Sequence, residues 1–143
     1  MRGSDATQPE LEPSSFRDPD SRVVRYDGRV LRLLSAHGLA DWQTFCSSPL
    51  SGELEREGKL VETHEVFDLE APRYALGGDV AAVLEHEVVP FVSYPYEWTF
   101  GMLRDAALLQ LELVRRSVEA GWMLKDSSPY NVQFVGARPV FVD

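Results

Sequence analysis

The sequence predicts an α+β fold: a small, mostly antiparallel sheet with helices, then one long helix, a polar loop and a closing β-hairpin. Three observations carry that expectation. Two short β-branched and apolar runs flank Asp27-Gly28, a strong hairpin signal because a type I′ turn needs positive φ at both central positions. One stretch of helical period, roughly Trp98 to Ala120, is the longest in the chain. Two four-residue apolar runs, VQFV and VFVD, close the chain around a glycine-containing GARP loop. At 143 residues and 44% hydrophobic content, the chain is long enough to bury a core.

Taken in order, Met1 to Ser15 is polar, lacks a period and contains Pro9 and Pro13; it reads as a disordered lead-in, with residues 16–143 forming one module. Strands are expected near 22–26 and 29–34. Between His37 and Lys59, Asp41 would cap a short helix holding Trp42 and Phe45. Pro49 would break it, and Ser51 would cap a second helix ending at Gly58. Leu60 to Leu69 alternates loosely as a strand does, Pro72 to Ala82 reads as a loop around Gly77-Gly78, and Val83 to Val92 reads as a strand with Pro90 near its end. The long helix carries Phe100, Leu103, Ala107, Leu111, Val114 and Val118 on one stripe. Ala106, Leu109 and Leu113 lie on another, so burial on more than one face is expected, with Gly121 as the stop.

Composition excludes several function classes. Acidic residues number 23 against 14 basic ones, for a net charge of -9. The densest basic cluster is Arg115-Arg116, so nucleic-acid binding is not expected. No apolar run approaches the ~20 residues of a membrane span, and Met1 to Glu10 has no signal-peptide core. The single cysteine, Cys46, excludes an internal disulfide and fits a reducing cytoplasm; it reads as a small buried hydrophobe rather than a nucleophile. His64 and His86, each beside glutamates, read as a paired surface rather than as metal ligands, and Glu53, Glu55 and Glu57 as a solvated helix face. Tyr94, Tyr96 and Trp98 suit core packing with hydrogen-bonded tips better than a ligand-stacking wall. Asp105 reads as a structural partner of Arg104.

The chemistry-bearing pattern lies near the end. Asp126 is followed by Asn131 five residues on and by Asp143 after a further 12, with a hairpin between the last two. This layout resembles the catalytic loop of protein-kinase-like folds, where one carboxylate orients a hydroxyl and an amide and a second carboxylate hold magnesium. It implies a kinase-like N-lobe and the start of a C-lobe. Asp126 and the basic Lys125 stand at the catalytic positions, and Asn131 and Asp143 at the metal positions. Arg32, in VLRLL, is the basic strand residue able to face a nucleotide. The cofactors implied are magnesium and ATP. A glycine-rich phosphate loop and a V-A-I-K lysine are absent from the sequence, and the competing reading makes Asp126 and Asn131 turn residues.

The segments FRDPDSRVVRYDGRVLRLL, LVETHEV, PFVSYPYEWTFGMLRDAALLQLELV and LKDSSPYNVQFVGARPVFVD together resemble the N-terminal region of bacterial, nodulation-protein-like members of the class I S-adenosylmethionine-dependent methyltransferase family. The resemblance runs from about Ser14 to Asp143. It implies that the methyltransferase domain and its S-adenosylmethionine site lie in a longer chain, beyond this fragment, and that the fragment contacts that missing C-terminal domain.

Two readings of function follow. In one, the chain is the N-terminal module of a methyltransferase-family protein with a Mg²⁺-nucleotide, phosphotransferase-like site acting on a small molecule or protein. In the other, it is a noncatalytic substrate-recognition or interaction module with a vestigial kinase-like loop.

Overall fold

The structure, a computed structural model, describes residues 8–13, 15, 18–67 and 79–143. Most of the expected lead-in (residues 1–7 and 14), the end of the strand expected to reach Leu69, and the Gly77-Gly78 loop lie outside the described residues. The fold is mixed α+β. It divides into two compact units, one made of the described residues of Met1–Thr44 and Thr63–Val88, the other of Phe45–Glu62 and Val89–Asp143.

The first unit is an antiparallel sheet of five strands: β1 (Glu10–Leu11), β2 (Ser21–Tyr26), β3 (Arg29–Leu34), β4 (Thr63–Val66) and β5 (Ala82–His86), in the order β1-β2-β3-β5-β4. β1, within the segment expected to be disordered, pairs with β2 through Glu10–Arg25 and Leu11–Val24. The β2–β3 turn has φ of 50° at Asp27 and 74° at Gly28, the two positive values that a type I′ turn demands. Central position buries β3 on both faces. Leu31 and Leu33 join Val24, Val66 and Val83 on one side, while Leu34 joins Ala82 and Leu84 under Leu39 and Trp42 of α1 (Ala36–Cys46) on the other.

Two helix starts differ from expectation. Ser35, not Asp41, caps α1: its Oγ accepts from the Gly38 N–H at 3.1 Å, and Asp41 lies inside the helix. The first helix ends at Cys46, before Pro49 as expected, but Pro49 is itself the first residue of α2 (Pro49–Arg56), where its missing N–H has no intrahelical partner to lose. Ser51 is therefore buried within α2 rather than capping it. Gly58, at φ 66°, follows the end of α2.

The second unit packs α2 and a β6–β7 hairpin (Val132–Val135 and Arg138–Phe141) against α3 (Phe100–Glu119). Thr99 Oγ1 accepts from Met102 N–H to cap α3, and Gly121, at φ 83°, follows its last turn. The hairpin turns on only two residues, Gly136 (φ 63°) and Ala137. Arg138 and Pro139, expected in the loop, are thus strand residues, and Pro139 is tolerated because its sheet has only two strands.

The long helix is buried on one face, not on several. Ala106, Leu109 and Leu113 pack with Leu50, Leu54, Trp98, Val132, Phe134 and Phe141. The second stripe stays in solvent, because α2 and the hairpin together cover a single side. Ion pairs fix α2 to α3. Arg116 reaches Glu57 at 2.8 Å and Glu53 at 2.9 Å, while Lys59 bridges Glu57 (2.7 Å) and Glu112 (2.6 Å). Hydrogen bonds from Arg116 and then Lys59 hold the Glu57 carboxyl down to about 2. Two of the three acids expected on a solvated face therefore grip α3, and Arg116 is no free basic patch.

A buried polar knot ties the segment before α3 to the hairpin. Gln133 Oε1 accepts from Ser93 N–H at 2.9 Å, its Nε2 donates to Ser93 C=O at 3.1 Å, and Ser93 Oγ accepts from Trp98 Nε1 at 2.9 Å. Gln133 thus does for Ser93 what a neighbouring strand would do, satisfying both backbone groups. Gln133→Leu strands that buried N–H and C=O, and is expected to lower stability by about 2–4 kcal/mol. The check is urea unfolding followed by tryptophan fluorescence; an unchanged midpoint would mean that the amide carries no structural weight.

Candidate functional site

Folding of the site begins where α3 ends. Beyond Gly121 the chain alternates, with Trp122 and Leu124 packing on the core while Met123 and Lys125 point to solvent. Asp126 opens a tight turn, its Oδ1 accepting from Ser128 N–H at 2.9 Å. Ser128 Oγ in turn accepts from Tyr130 N–H and caps the single turn Pro129–Asn131. From α3, Gln110 donates its amide to the Ser127 carbonyl and tethers the loop to the helix.

The hairpin then performs the closure that the spacing foretold. With Val132 opposite Phe141, Asn131 stands opposite Val142, and Val142 N–H donates to Asn131 C=O at 2.9 Å. Asn131 Nδ2 lies 3.2 Å from Asp143 Oδ2 and 3.4 Å from the Asp126 carbonyl oxygen. β7 is held from its other side by Lys59 and Val61, which exchange backbone hydrogen bonds with Phe141 at 2.9 Å each. Asn131 therefore meets Asp143 side chain to side chain and Asp126 through the Asp126 backbone carbonyl, while the Asp126 carboxylate turns to Ser128 and Lys125 is exposed next to it in the chain.

Arg32 belongs to the first unit. Its Nε donates to His86 Nε2 at 3.2 Å, and its Nη1 donates to Ser21 Oγ at 3.2 Å. Because a guanidinium only donates, His86 Nε2 must be unprotonated, and the Nδ1–H lies 2.8 Å from Thr63 Oγ1. Burial first, and then the Arg32 charge, push the His86 imidazolium down to about 3. His64 faces Glu85 directly across β4–β5, with 3.5 Å between Nε2 and Oε2. Both histidines are thus cross-strand partners, and no group of three or more His, Cys, Asp or Glu side chains is placed to hold a metal among the described residues.

Cys46 is exposed rather than buried. Its thiol is nonetheless pushed up, by partial removal from water and then by Glu55, which disfavours the thiolate. Trp98 is buried and hydrogen-bonded as expected, but Tyr94 and Tyr96 stand exposed, stacked with ring centres 5.6 Å apart. Asp105 pairs with Arg104. Two positioning residues escaped sequence reasoning. Gln110 is a lone amide in an apolar helix, and Gln133 occupies a strand position that alternation assigns to solvent.

No helix among the described residues is long and apolar enough to cross a membrane. Compared with known proteins, the chain is 35% identical over 139 residues to the nodulation protein NoeA of Rhizobium meliloti (strain 1021). The match takes in 96% of this chain and 28% of the length of that relative. No family model and no solved structure matches.

The state of His86 makes a pH prediction. Its folded pKa lies below the ordinary value near 6.5, so the unfolded chain binds the extra proton. Its stabilisation is complete above pH 6.5 and is lost as pH falls toward 3. Between pH 7 and 5 the loss is about 2 kcal/mol, in a window above that of Glu57. Denaturant melts at both pH values should show it, and His86→Gln should abolish it; a wild-type stability flat between pH 7 and 5 would refute the assignment.

Proposed function

We propose that the loop and hairpin of the second unit form a Mg²⁺-nucleotide site of phosphotransferase type, in a module of a methyltransferase-family protein. The observation that supports this reading is the closure of Asn131 onto Asp143 at 3.2 Å, beside Asp126. The residue types would suit magnesium: the Asp143 carboxylate and the Asn131 amide both carry hard oxygens. In this reading Asn131 and Asp143 would hold the ion. The ion would supply charge neutralisation on the phosphates. Asp126 orients the hydroxyl of a small-molecule or protein substrate through its second carboxylate oxygen, the first being engaged at Ser128. Lys125, the preceding residue in the chain, would add positive charge to the loop. Arg32 has the weakest claim, since contact with a nucleotide would break its bonds to His86 and Ser21.

The methyl chemistry and its S-adenosylmethionine are assigned to the larger part of a NoeA-like protein that lies outside the match. That relative's name extends a nodulation role, as a proposal, to the longer protein. A magnesium-nucleotide site and a lone exposed thiol both suit the cytoplasm. The noncatalytic alternative draws on one observation: the Asp126 carboxylate already works as a turn cap, a use that needs no substrate.

Calorimetric titration with ATP, with and without MgCl₂, tests the site. Magnesium-dependent binding is expected, weakened at least about tenfold in Asp143→Asn. Asp126→Ala should leave nucleotide affinity nearly unchanged. Silence from a chain shown to be folded would leave the interaction module, and binding of S-adenosylmethionine would overturn its assignment to the part of a NoeA-like protein outside the match.

A further inference from the structure

Two successive carbonyls of the Asp126 loop are each held by a side-chain amide, and the two amides come from different elements. Asn131 Nδ2 donates to the Asp126 carbonyl at 3.4 Å, and Gln110 Nε2 of α3 donates to the Ser127 carbonyl. The Ser127 carbonyl and the Ser128 N–H are the two ends of one planar peptide unit, so neither turns without the other. Asp126 Oδ1 accepts from that same Ser128 N–H at 2.9 Å. Gln110 therefore grips one end of the plane against whose other end the Asp126 carboxylate rests.

The anchor is firm, because Gln110 directly follows Leu109 on α3, and Ala106, Leu109 and Leu113 bury that helix in the core. A carbonyl that accepts a hydrogen bond also makes the N–H of its own peptide a better donor, since linked bonds polarise one another. The direction and the strength of the bond at Asp126 Oδ1 thus both depend on Gln110. Asp126 Oδ2 has no hydrogen-bond partner among the described residues. Both oxygens lie in one carboxylate plane, so holding Oδ1 limits where Oδ2 can point.

We propose that Gln110 is the positioning residue for Asp126, aiming its free carboxylate oxygen through the Ser127–Ser128 peptide plane. What that oxygen does rests on the phosphotransferase reading. There Asp126 Oδ2 takes the proton of the acceptor hydroxyl while the acceptor oxygen bonds to the γ-phosphorus of ATP. The bond from that phosphorus to ADP breaks, and ADP leaves with its electron pair.

Two substitutions separate donation from packing. Gln110→Glu keeps side-chain length and helix preference but offers Ser127 only acceptors, whereas Gln110→Lys restores a donor. Amide exchange followed by NMR reads the hold on the loop. The Ser128 N–H should exchange about three- to tenfold faster in Gln110→Glu and near the unaltered rate in Gln110→Lys. Met102 N–H, capped by Thr99 at the start of α3, should be unaffected in both. Steady-state turnover of MgATP, with water as the acceptor, reads the aim. In Gln110→Glu, kcat should fall at least about tenfold with KM for ATP unchanged, and in an Asp126→Ala background the substitution should cost nothing further. Ser128 exchange indifferent to Gln110→Glu would overturn the proposal, as would equal acceleration in Gln110→Lys or a kcat loss that persists without Asp126. A folded chain that binds no MgATP would overturn the phosphotransferase reading instead, and the exchange rates alone would then decide whether Gln110 holds Asp126.

Discussion

Gln133 holds the second unit in register. A strand residue that alternation would send to solvent is instead buried, and its amide takes over both backbone groups of Ser93. Ser93 in turn receives the indole N–H of Trp98, the residue from which the chain enters Thr99 and α3. One amide therefore relates the hairpin to the start of the long helix. Everything at the far end of the hairpin inherits that relation. Asn131 immediately precedes β6, and Asp143 reaches it only because β7 returns in the register Val132–Phe141. A buried amide is a stringent device for this purpose, since a one-residue slip leaves three polar groups unpaired in an apolar site.

Much of this architecture was legible in the residues, and the reasons are local. Asp27-Gly28 announced its turn because only a narrow set of residues accepts two positive φ values in succession. Gly121 marked the end of α3 for a related reason. The approach of Asn131 to Asp143 was legible from spacing alone, because a tight hairpin converts a separation of 12 residues into contact.

What was not legible depended on partners distant in sequence. Ser35 rather than Asp41 caps α1 because Asp20, 15 residues earlier, accepts from the Ser35 hydroxyl at 2.9 Å and orients it. Glu53 and Glu57 became ion-pair partners because α3 presents Arg116 to them across some 60 residues of chain. The exposed stripe of α3 is the most instructive case. Helical periodicity reports that a face is apolar; it does not report what covers it, and two apolar stripes on one helix need two partners. The described residues supply one.

The same helix joins these features. Its inner face carries Ala106, Leu109 and Leu113 into the core, Arg116 locks onto Glu53 of α2 and Glu57 just after it, and its outer stripe is bare. Gln110 projects between the inner face and the bare stripe, and it holds the loop of Asp126 by the Ser127 carbonyl. The stripe runs alongside the side chain that tethers the loop, on the same helix. Displacing Gln110 would release Ser127, loosening the turn that Asp126 and Ser128 build. Packing against Gln110 would restrict its rotamers and stiffen the same turn. The bare stripe and the loop of Asp126 are thus adjacent through one amide, Gln110.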